Sequence, residues 1–196
     1  LYLHKEGIPS SLMNHFIRMG AFQNPEFYRA QKMRLNIRDI PRIIDCTEDY
    51  GEYLALPRGC LDELKEFLDY HNIEFQLQDE RNNGLEIDVH FQGELREKQK
   101  EAVEQLQQHD IGTLSATTAF GKTVTGIWMI AARKTNTLIL VNRKQLMEQW
   151  RAQIALFLNL PIEKIGQIGA GKNKRTGIID VAMLQTVQSK GAVKDY

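Results

Sequence analysis

The residues best suited to chemistry in this chain of 196 residues lie in one stretch, 116–123, which reads Ala-Thr-Thr-Ala-Phe-Gly-Lys-Thr. Backbone N–H groups at the start of a helix are unpaired and carry partial positive charge, so they attract anions. Lys122 adds a full charge suited to the β- and γ-phosphates of a nucleotide, and the Thr123 hydroxyl suits a Mg²⁺ ion bound with it. The stretch therefore predicts a site for ATP and Mg²⁺.

The segments on either side predict the local structure that a phosphate-binding loop requires. Residues 112–115 are short, apolar and β-prone, which is typical of a buried strand, and residues 124–132 have the apolar spacing of a helix. This order of strand, loop and helix favours a nucleotide site over a chance triplet at an ordinary helix start. Lys122 and Thr123 are the predicted catalytic residues. The predicted nucleotide contacts in the loop are Thr117, Thr118, Ala119, Phe120, Gly121, Lys122 and Thr123.

Charge is balanced in sum but uneven along the chain. Lys+Arg and Asp+Glu number 25 each, so the net charge excludes no class of partner. Residues 43–90 hold thirteen acids and three bases, whereas residues 133–175 hold nine bases and two acids. This asymmetry indicates that the second region meets a polyanion, with a merely solvated surface as the alternative.

Other global features point to a cytoplasmic protein. Cys46 and Cys60 lie far apart in sequence without metal-ligand spacing, which is typical of reduced thiols. No apolar run approaches the length of a membrane span, and no signal peptide opens the chain. Because the first residue is Leu1 rather than Met, we expect a fragment or a processed form of a longer polypeptide.

Residues 1–84 predict a small α+β domain that ends in the polar, turn-rich stretch 79–84. We expect one helix that starts at Pro9-Ser10-Ser11 with a serine N-cap, and a second that starts at Asn24-Pro25. A β-β-α-β unit should follow, with strands 41–46 and 53–57 joined as a hairpin, a helix over 60–71 and a half-buried strand over 73–77.

The second helix of this domain carries basic residues among aromatic ones. Its bases are Arg29, Lys32 and Arg34, and Phe27 and Tyr28 precede them. Such a combination is suited to nucleic acid. The alternative is an ordinary amphipathic helix with Phe27 packed inward and the bases in water.

Residues 85–196 predict a parallel α/β domain, because apolar strand-like runs alternate with helical patterns. The run 137–141 is nearly continuous in apolar residues, as in a strand covered on both faces. Trp150, Ile154 and Phe157 are expected in the core. The other expected elements are a strand over 85–91, a helix from Leu95 to about His109, a helix that residues 142–146 lead into and that runs through Trp150 and Phe157, and strands over 165–168 and 178–184.

Several polar residues follow the predicted strands, and ligands of open parallel sheets gather at the carboxyl ends of the strands. Arg143 and Lys144 suit phosphate contacts, and the loop 169–175 combines glycines with three bases. The alternative is that these basic residues are simply solvated and contact no phosphate. The predicted nucleic-acid contacts are Arg143, Lys144, Gly169, Lys172 and Thr186.

Five motifs stand in the order of the first motifs of superfamily 2 DNA helicases: Leu95-Arg-x-x-Gln99, residues 116–123, Leu140-Val-Asn-Arg143, Gly169-x-Gly171 and Gln185-Thr186. Residues 90–196 resemble these DEAD/DEAH-type proteins, in particular the excision-repair and phage recombination group and bacterial conflict-system helicases. The loop departs from the usual pattern at Ala116, where a glycine is common, but superfamily 2 often accepts alanine there. Residues 1–84 resemble, more loosely, the damage-recognition-like domain of that group.

The resemblance implies a RecA-like P-loop fold that hydrolyses ATP with Mg²⁺ and acts on DNA, single-stranded or branched, with RNA not excluded. It assigns to Gln99 the reading of the adenine edge, with Arg96 beside it. A side-chain amide suits this role because it both donates and accepts hydrogen bonds.

The family also has an Asp-Glu-x-His strand and a second RecA-like domain, and no such motif occurs in these 196 residues. We therefore expect the missing domain on the same polypeptide, and we expect this chain alone to be inactive. Two other functions stay open: a P-loop nucleotide-binding protein of a kinase-like or regulatory class, and a DNA-binding module with a vestigial loop. The helix carrying Arg96 and Gln99 and the basic loops favour the helicase.

Overall fold

The computed structural model describes residues 1–189 and 192–193. The chain divides into two compact units, Leu1–Asp79 and Glu80–Tyr196, which we call the amino-terminal and carboxy-terminal units. The sequence placed the boundary after residue 84. Among the described residues, the helices are too short or too polar to cross a membrane.

The amino-terminal unit contains three helices and two small antiparallel sheets. Its elements are β1 (Tyr2–His4), α1 (Ser10–Met19), β2 (Ala21–Gln23), α2 (Pro25–Lys32), β3 (Ile43–Asp45), β4 (Glu48–Asp49), β5 (Tyr53–Ala55), a 3-10 turn (Arg58–Cys60) and α3 (Leu61–Tyr70). One sheet has the order β1-β5-β4, and β2 pairs with β3 in the other. Phe16 of α1, Leu54 of β5 and Leu64 and Leu68 of α3 are buried together in the core.

The helices of this unit begin close to the predicted positions. The Asn24 side chain accepts a hydrogen bond of 3.0 Å from the Glu26 backbone N–H, and Pro25 takes the first helical position, as predicted. The predicted serine cap of α1 is wrong, because Pro9 takes the N-cap position and gives no side-chain hydrogen bond.

The predicted β-β-α-β unit is wrong in its pairing. β3 pairs with β2 rather than with β5, and the hairpin is formed by β4 and β5. Residues 73–77 form no strand, and Phe75 and Leu77 are 45% and 51% exposed. A period of two produces a strand only where a neighbouring edge accepts its hydrogen bonds, and no described strand pairs with this segment.

The carboxy-terminal unit has the α/β architecture that the sequence predicted. Its elements are α4 (Glu97–Gln107), α5 (Lys122–Arg133), β6 (Thr137–Val141), α6 (Lys144–Phe157), a 3-10 turn (Ile162–Lys164), β7 (Ile165–Gly169), β8 (Lys172–Lys174), β9 (Ile179–Met183), α7 (Leu184–Val187), β10 (Gln188–Ser189) and β11 (Ala192–Val193). The main sheet has the order β6-β9-β7-β8, in which β6, β9 and β7 are parallel and β8 is antiparallel to β7.

The core of this unit lies between the sheet and helices α5 and α6. Ile127 of α5, Met147 and Ile154 of α6, Ile165 of β7 and Val181 of β9 are fully buried in it. Trp150 and Phe157 pack against the same core, as predicted. A Cβ atom at Gly126 of α5 would lie 2.8 Å from the Trp150 ring, so the glycine allows α6 to approach closely.

Two predicted strands of this unit are absent from the described structure. Residues 112–115 are mostly exposed and form no strand, and residues 85–91 form only one bridge, Glu86 to Thr135. Ile87 and Val89 are nevertheless buried in the core, so the alternating pattern reported burial rather than sheet pairing. Backbone groups form a ladder only where a neighbouring strand lies beside them, which the local pattern does not encode.

β6 is not covered on both faces as predicted. It stands at the edge of the described sheet, and its side chains alternate between a packed and an open face. Leu138 and Leu140 on the open face are 53% and 47% exposed, whereas Val141 is buried. The apolar run therefore identified the strand correctly and its surroundings wrongly.

Candidate nucleotide-binding site and nucleic-acid interface

The loop 116–123 leads directly into the amino-terminal end of α5. Gly121 stands before the first helical residue with φ +91°, and Ala119 also has a positive φ of 64°. The backbone N–H and the hydroxyl of Thr125 donate to the Gly121 carbonyl oxygen, at 3.0 and 3.2 Å. The sharp turn at Gly121 thus starts the helix at the predicted position, and its first N–H groups stay the predicted anion site.

Two residues of the α4 start hold this loop from the side. The Gln99 amide donates to the Phe120 carbonyl oxygen at 2.9 Å and accepts from the Arg96 backbone N–H at 2.9 Å. The Arg96 guanidinium donates to the carbonyl oxygens of Phe120 and Ala119. A Cβ atom at Gly121 would overlap the Gln99 amide nitrogen and lie 3.1 Å from Arg96 Nη2, so glycine is required there for space as well as for its φ angle.

Lys122 lies across the loop. Its ammonium donates to the carbonyl oxygens of Ala116 at 2.9 Å and Thr117 at 2.8 Å, and the side chain is exposed to solvent. An ammonium has three N–H donors, so one is left for a ligand in this arrangement. Phosphate oxygens are anionic acceptors and would compete with the two carbonyl oxygens for the other two N–H donors of Lys122.

A cleft of about 400 Å³ lies between the start of α4 and the loop. This volume falls within the range of small-molecule sites. Glu97 and Lys98 were not predicted from the sequence as lining residues. Their position next to Arg96 in the sequence is the only signal that could have indicated them. The lining residues are Arg96, Glu97, Lys98, Gln99, Thr117, Thr118, Ala119 and Phe120.

The position of Gln99 limits how it can meet a base. Its side chain is 4% exposed, and both ends of its amide are engaged within the chain. One N–H of the amide remains for a ligand, so adenine recognition by Gln99 stays a prediction. Among the described residues no three His, Cys, Asp or Glu side chains cluster as metal ligands, and Thr123, the second residue of α5, stays the predicted Mg²⁺ contact.

The predicted nucleic-acid contacts lie along the carboxyl edge of the parallel strands. Arg143 follows the end of β6 and is the exposed N-cap of α6, and Lys144 starts that helix. The Gln185 amide donates to the Asn142 carbonyl oxygen at 2.9 Å and so joins the end of β9 to the end of β6. Lys144 lies 3.6 Å from Glu148, an exposed pair that adds little stability.

The same edge continues at the turn between β7 and β8. Gly169 has φ +121°, and a Cβ atom there would lie 2.9 Å from Met183 and from the Thr186 hydroxyl oxygen. Gly169 and Thr186 are therefore in close contact. Lys172 stands opposite Gly169 in the hairpin and is exposed. The loop that the sequence predicted for residues 169–175 is thus partly a strand, β8.

Two arginines of the basic region stabilise the fold and do not lie free at the carboxyl edge of the sheet. The Arg151 guanidinium donates to the carbonyl oxygens of Ile162 and Ile165 and to the Gln167 side chain, and Arg133 donates to the His109 carbonyl oxygen. The helical spacing of Arg151 from Met147 and Ile154 is the signal that could have shown that it turns inward.

Comparison with known proteins places the second part of the chain in a family. Residues 92–195 match the family described as "Type III restriction enzyme, res subunit". "Putative helicase 109L" of invertebrate iridescent virus 3 is 41% identical over 83 residues, which are 40% of this chain and 25% of the viral protein. "Putative DNA 3'-5' helicase Rad25" of Halobacterium salinarum is 29% identical over 107 residues, which are 55% of this chain and 17% of that protein.

A solved structure extends the similarity to the fold of both units. The UvsW helicase from bacteriophage T4 aligns with 91% of this chain and 70% of its own, with a TM-score of 0.60 and 17% sequence identity. The resemblance to superfamily 2 helicases and the predicted α/β fold class are confirmed. The chain spans a quarter or less of the curated relatives it matches. Because the family match covers more than half of the 196 residues, the chain belongs to the family of the type III restriction enzyme res subunit.

Proposed function

We propose that this chain is the part of an ATP-dependent DNA helicase or translocase that binds ATP and a stretch of DNA backbone. One observation carries the proposal: α4 holds the loop before α5 through Arg96 and Gln99, and Lys122 projects into that loop. The helicase names of the relatives support the same function.

Each residue of the site has a role in this proposal. The first N–H groups of α5 and the Lys122 ammonium bind the β- and γ-phosphates, and the Thr123 hydroxyl holds the Mg²⁺ that accompanies them. Bound ATP supplies the free energy of phosphoryl transfer. Arg96 and Gln99 fix the loop carbonyls, so that the loop is held in place before the ligand arrives.

DNA binds at the carboxyl edge of the sheet. Arg143, Lys144 and Lys172 contact backbone phosphates, while Gly169 and Thr186 allow the backbone to approach closely. α5 returns through three residues to the start of β6, so its amino-terminal end lies toward the same edge as Arg143. The nucleotide and the DNA are therefore held by the same end of one rigid sheet.

Hydrolysis needs groups that this chain does not contain. No Asp-Glu-x-His motif occurs in the sequence, and we propose that it and a second RecA-like domain are supplied by the same polypeptide. On this proposal the 196-residue chain binds nucleotide weakly and turns over essentially none. The unpaired Cys46 and Cys60 support a cytoplasmic location.

Replacement of Lys122 by alanine tests the nucleotide site. Lys122 is exposed and outside the core, so we expect Lys122→Ala to melt like the wild type and to lose measurable ATP binding in calorimetry. Lys164→Ala is the control, since Lys164 is also exposed but precedes β7 at the opposite edge of the sheet. Unchanged ATP affinity in folded Lys122→Ala would overturn the assignment. ATP binding without DNA binding by the wild-type chain would favour the kinase-like or regulatory class.

A further inference from the structure

The amino-terminal unit separates its charges sharply along the sequence. Residues 24–42 carry five bases and two acids, whereas residues 43–79 carry ten acids and two bases. We call the five bases, all of them exposed, the basic strip: Arg29, Lys32, Arg34, Arg38 and Arg42.

The basic strip is built on α2 and on the segment that returns beside it. The Leu35 backbone N–H donates to the Ala30 carbonyl oxygen at 2.9 Å, which fixes the start of the returning segment at the end of α2. The buried Asn24 fixes the other end of the returning segment. The Asn24 side-chain amide donates to the Pro41 carbonyl oxygen at 2.8 Å, and the Asn24 backbone N–H donates to the Arg42 carbonyl oxygen at 3.0 Å. The strip therefore follows one helix of eight residues, about 12 Å long.

The bases of the strip are available to a ligand. Within the described residues no carboxylate oxygen lies within 4.0 Å of their side-chain nitrogens, whereas Lys5 elsewhere in the same unit pairs with Asp49. Arg42 is the only member whose side chain is engaged, and its partner is neutral: Arg42 Nε donates to the Tyr28 hydroxyl at 3.1 Å. Uncompensated charges that stand close together repel one another, and a polyanion relieves that repulsion.

We propose that the basic strip is a second DNA-binding surface, which contacts the phosphate backbone and does not read bases. The inference rests on the proposed function. Four of the five bases are arginines, whose planar guanidinium groups match phosphate geometry. The chain as a whole has no net charge, so attraction to DNA must be local. The ten acids of residues 43–79 repel a polyanion and restrict it to the strip.

The test removes two charges from the strip and two from the acidic region. Arg29 and Lys32 are exposed on neighbouring turns of α2, and the double variant Arg29→Gln/Lys32→Gln removes both. Each contact with a single strand contributes about 0.7 to the salt slope of binding, so the slope should fall by up to about 1.4. Affinity at 0.1 M salt should fall by up to roughly 25-fold, alike for all oligonucleotide sequences.

The matched control is Arg58→Gln/Lys65→Gln, which removes the same charge from the acidic region of the same unit. All variants are compared in the 196-residue chain by fluorescence anisotropy with a labelled single-stranded oligonucleotide, after thermal melting. Loss of affinity in the strip variant alone supports the inference. Equal losses in both variants would mean an effect of net charge and would overturn it.

Wild-type affinity and salt slope in the strip variant would also overturn the inference. The proposed function is judged separately, by the effect of Arg143→Gln/Lys172→Gln on DNA and of Lys122→Ala on ATP. If those variants lose binding while the strip variant does not, the helicase proposal stands and the second surface does not exist. If an acidic polypeptide, poly-glutamate, competes with DNA only in chains with an intact strip, the strip binds polyanions in general and the assignment to DNA is overturned.

Discussion

The side-chain amide of Gln99 donates a hydrogen bond of 2.9 Å to the carbonyl oxygen of Phe120, and so ties the start of α4 to the loop before α5. The same amide accepts from the Arg96 backbone N–H, which places Arg96 for its own contacts with the loop. The buried Gln99 side chain and the Arg96 side chain thus hold the loop together.

Loss of the Gln99 amide should weaken both the fold and the nucleotide site. Gln99→Ala leaves the Phe120 carbonyl and the Arg96 N–H without this buried partner, and we expect a loss of about 1–3 kcal/mol of unfolding free energy. ATP affinity should fall as the loop loosens. Urea unfolding and calorimetry measure the two effects. Gln105→Ala, on the exposed face of the same helix, is the control and should be near neutral. Equal stability of the two variants would contradict this role for Gln99.

Gly121→Ala should disturb the same contact from the other side. The added Cβ atom overlaps the Gln99 amide, and φ +91° is unfavourable for alanine by roughly 1–2 kcal/mol. In the control Gly112→Ala, the nearest atom to the new Cβ is a Leu106 methyl at 3.4 Å, an ordinary contact.

A double-mutant cycle separates the two causes. Because Gln99→Ala removes the group that the Gly121→Ala methyl strikes, the double variant should lose less stability than the sum of the single variants. Strict additivity in urea unfolding would show that the cost at Gly121 does not come from the Gln99 amide.

The carboxyl edge of the sheet should bind DNA through charge. Arg143→Gln/Lys172→Gln should lower affinity for single-stranded oligonucleotides by up to roughly 25-fold at 0.1 M salt, with a salt slope smaller by up to about 1.4. Lys134→Gln/Lys164→Gln removes the same charge at the opposite edge and should have little effect. Anisotropy titrations over a range of salt concentrations compare them. Equal losses of affinity for the two pairs would indicate an effect of net charge. The carboxyl-edge bases would then be merely solvated, the alternative that the sequence left open.

The two cysteines should differ in reactivity. Cys46 is exposed, whereas burial, with a smaller contribution from Glu63, raises the pKa of the half-buried Cys60. A raised pKa means less thiolate at any given pH, so Cys60 should react with iodoacetamide more slowly. In the Cys46→Ser variant, the rate of Cys60 alkylation should begin to rise at a higher pH in the folded chain than in the chain unfolded in urea. Mass spectrometry of timed samples measures the rates. A faster reaction at Cys60 than at Cys46 in the folded protein would contradict the prediction.

The sequence by itself determined the loop before α5, the helices and the parallel strands of the second unit. Gly121, Lys122 and Thr123 are adjacent in sequence, and a helix start depends on neighbouring residues, so local information sufficed. Asn24-Pro25 predicted the start of α2 for the same reason. The positions of Gly169 and Thr186 at the strand ends also followed from the parallel order, since those ends meet at one edge.

Only the tertiary structure decided which segments pair and which charges turn inward. Residues 73–77 and 112–115 have strand-like patterns, but a ladder needs a partner that is distant in sequence, and no described strand stands beside them. Arg151 counts as a base in the sequence, and in the fold it donates to the carbonyl of the buried Ile165 instead. The amide of Gln99 is used in the same way. The partners of these groups come from other elements, and no local pattern specifies them.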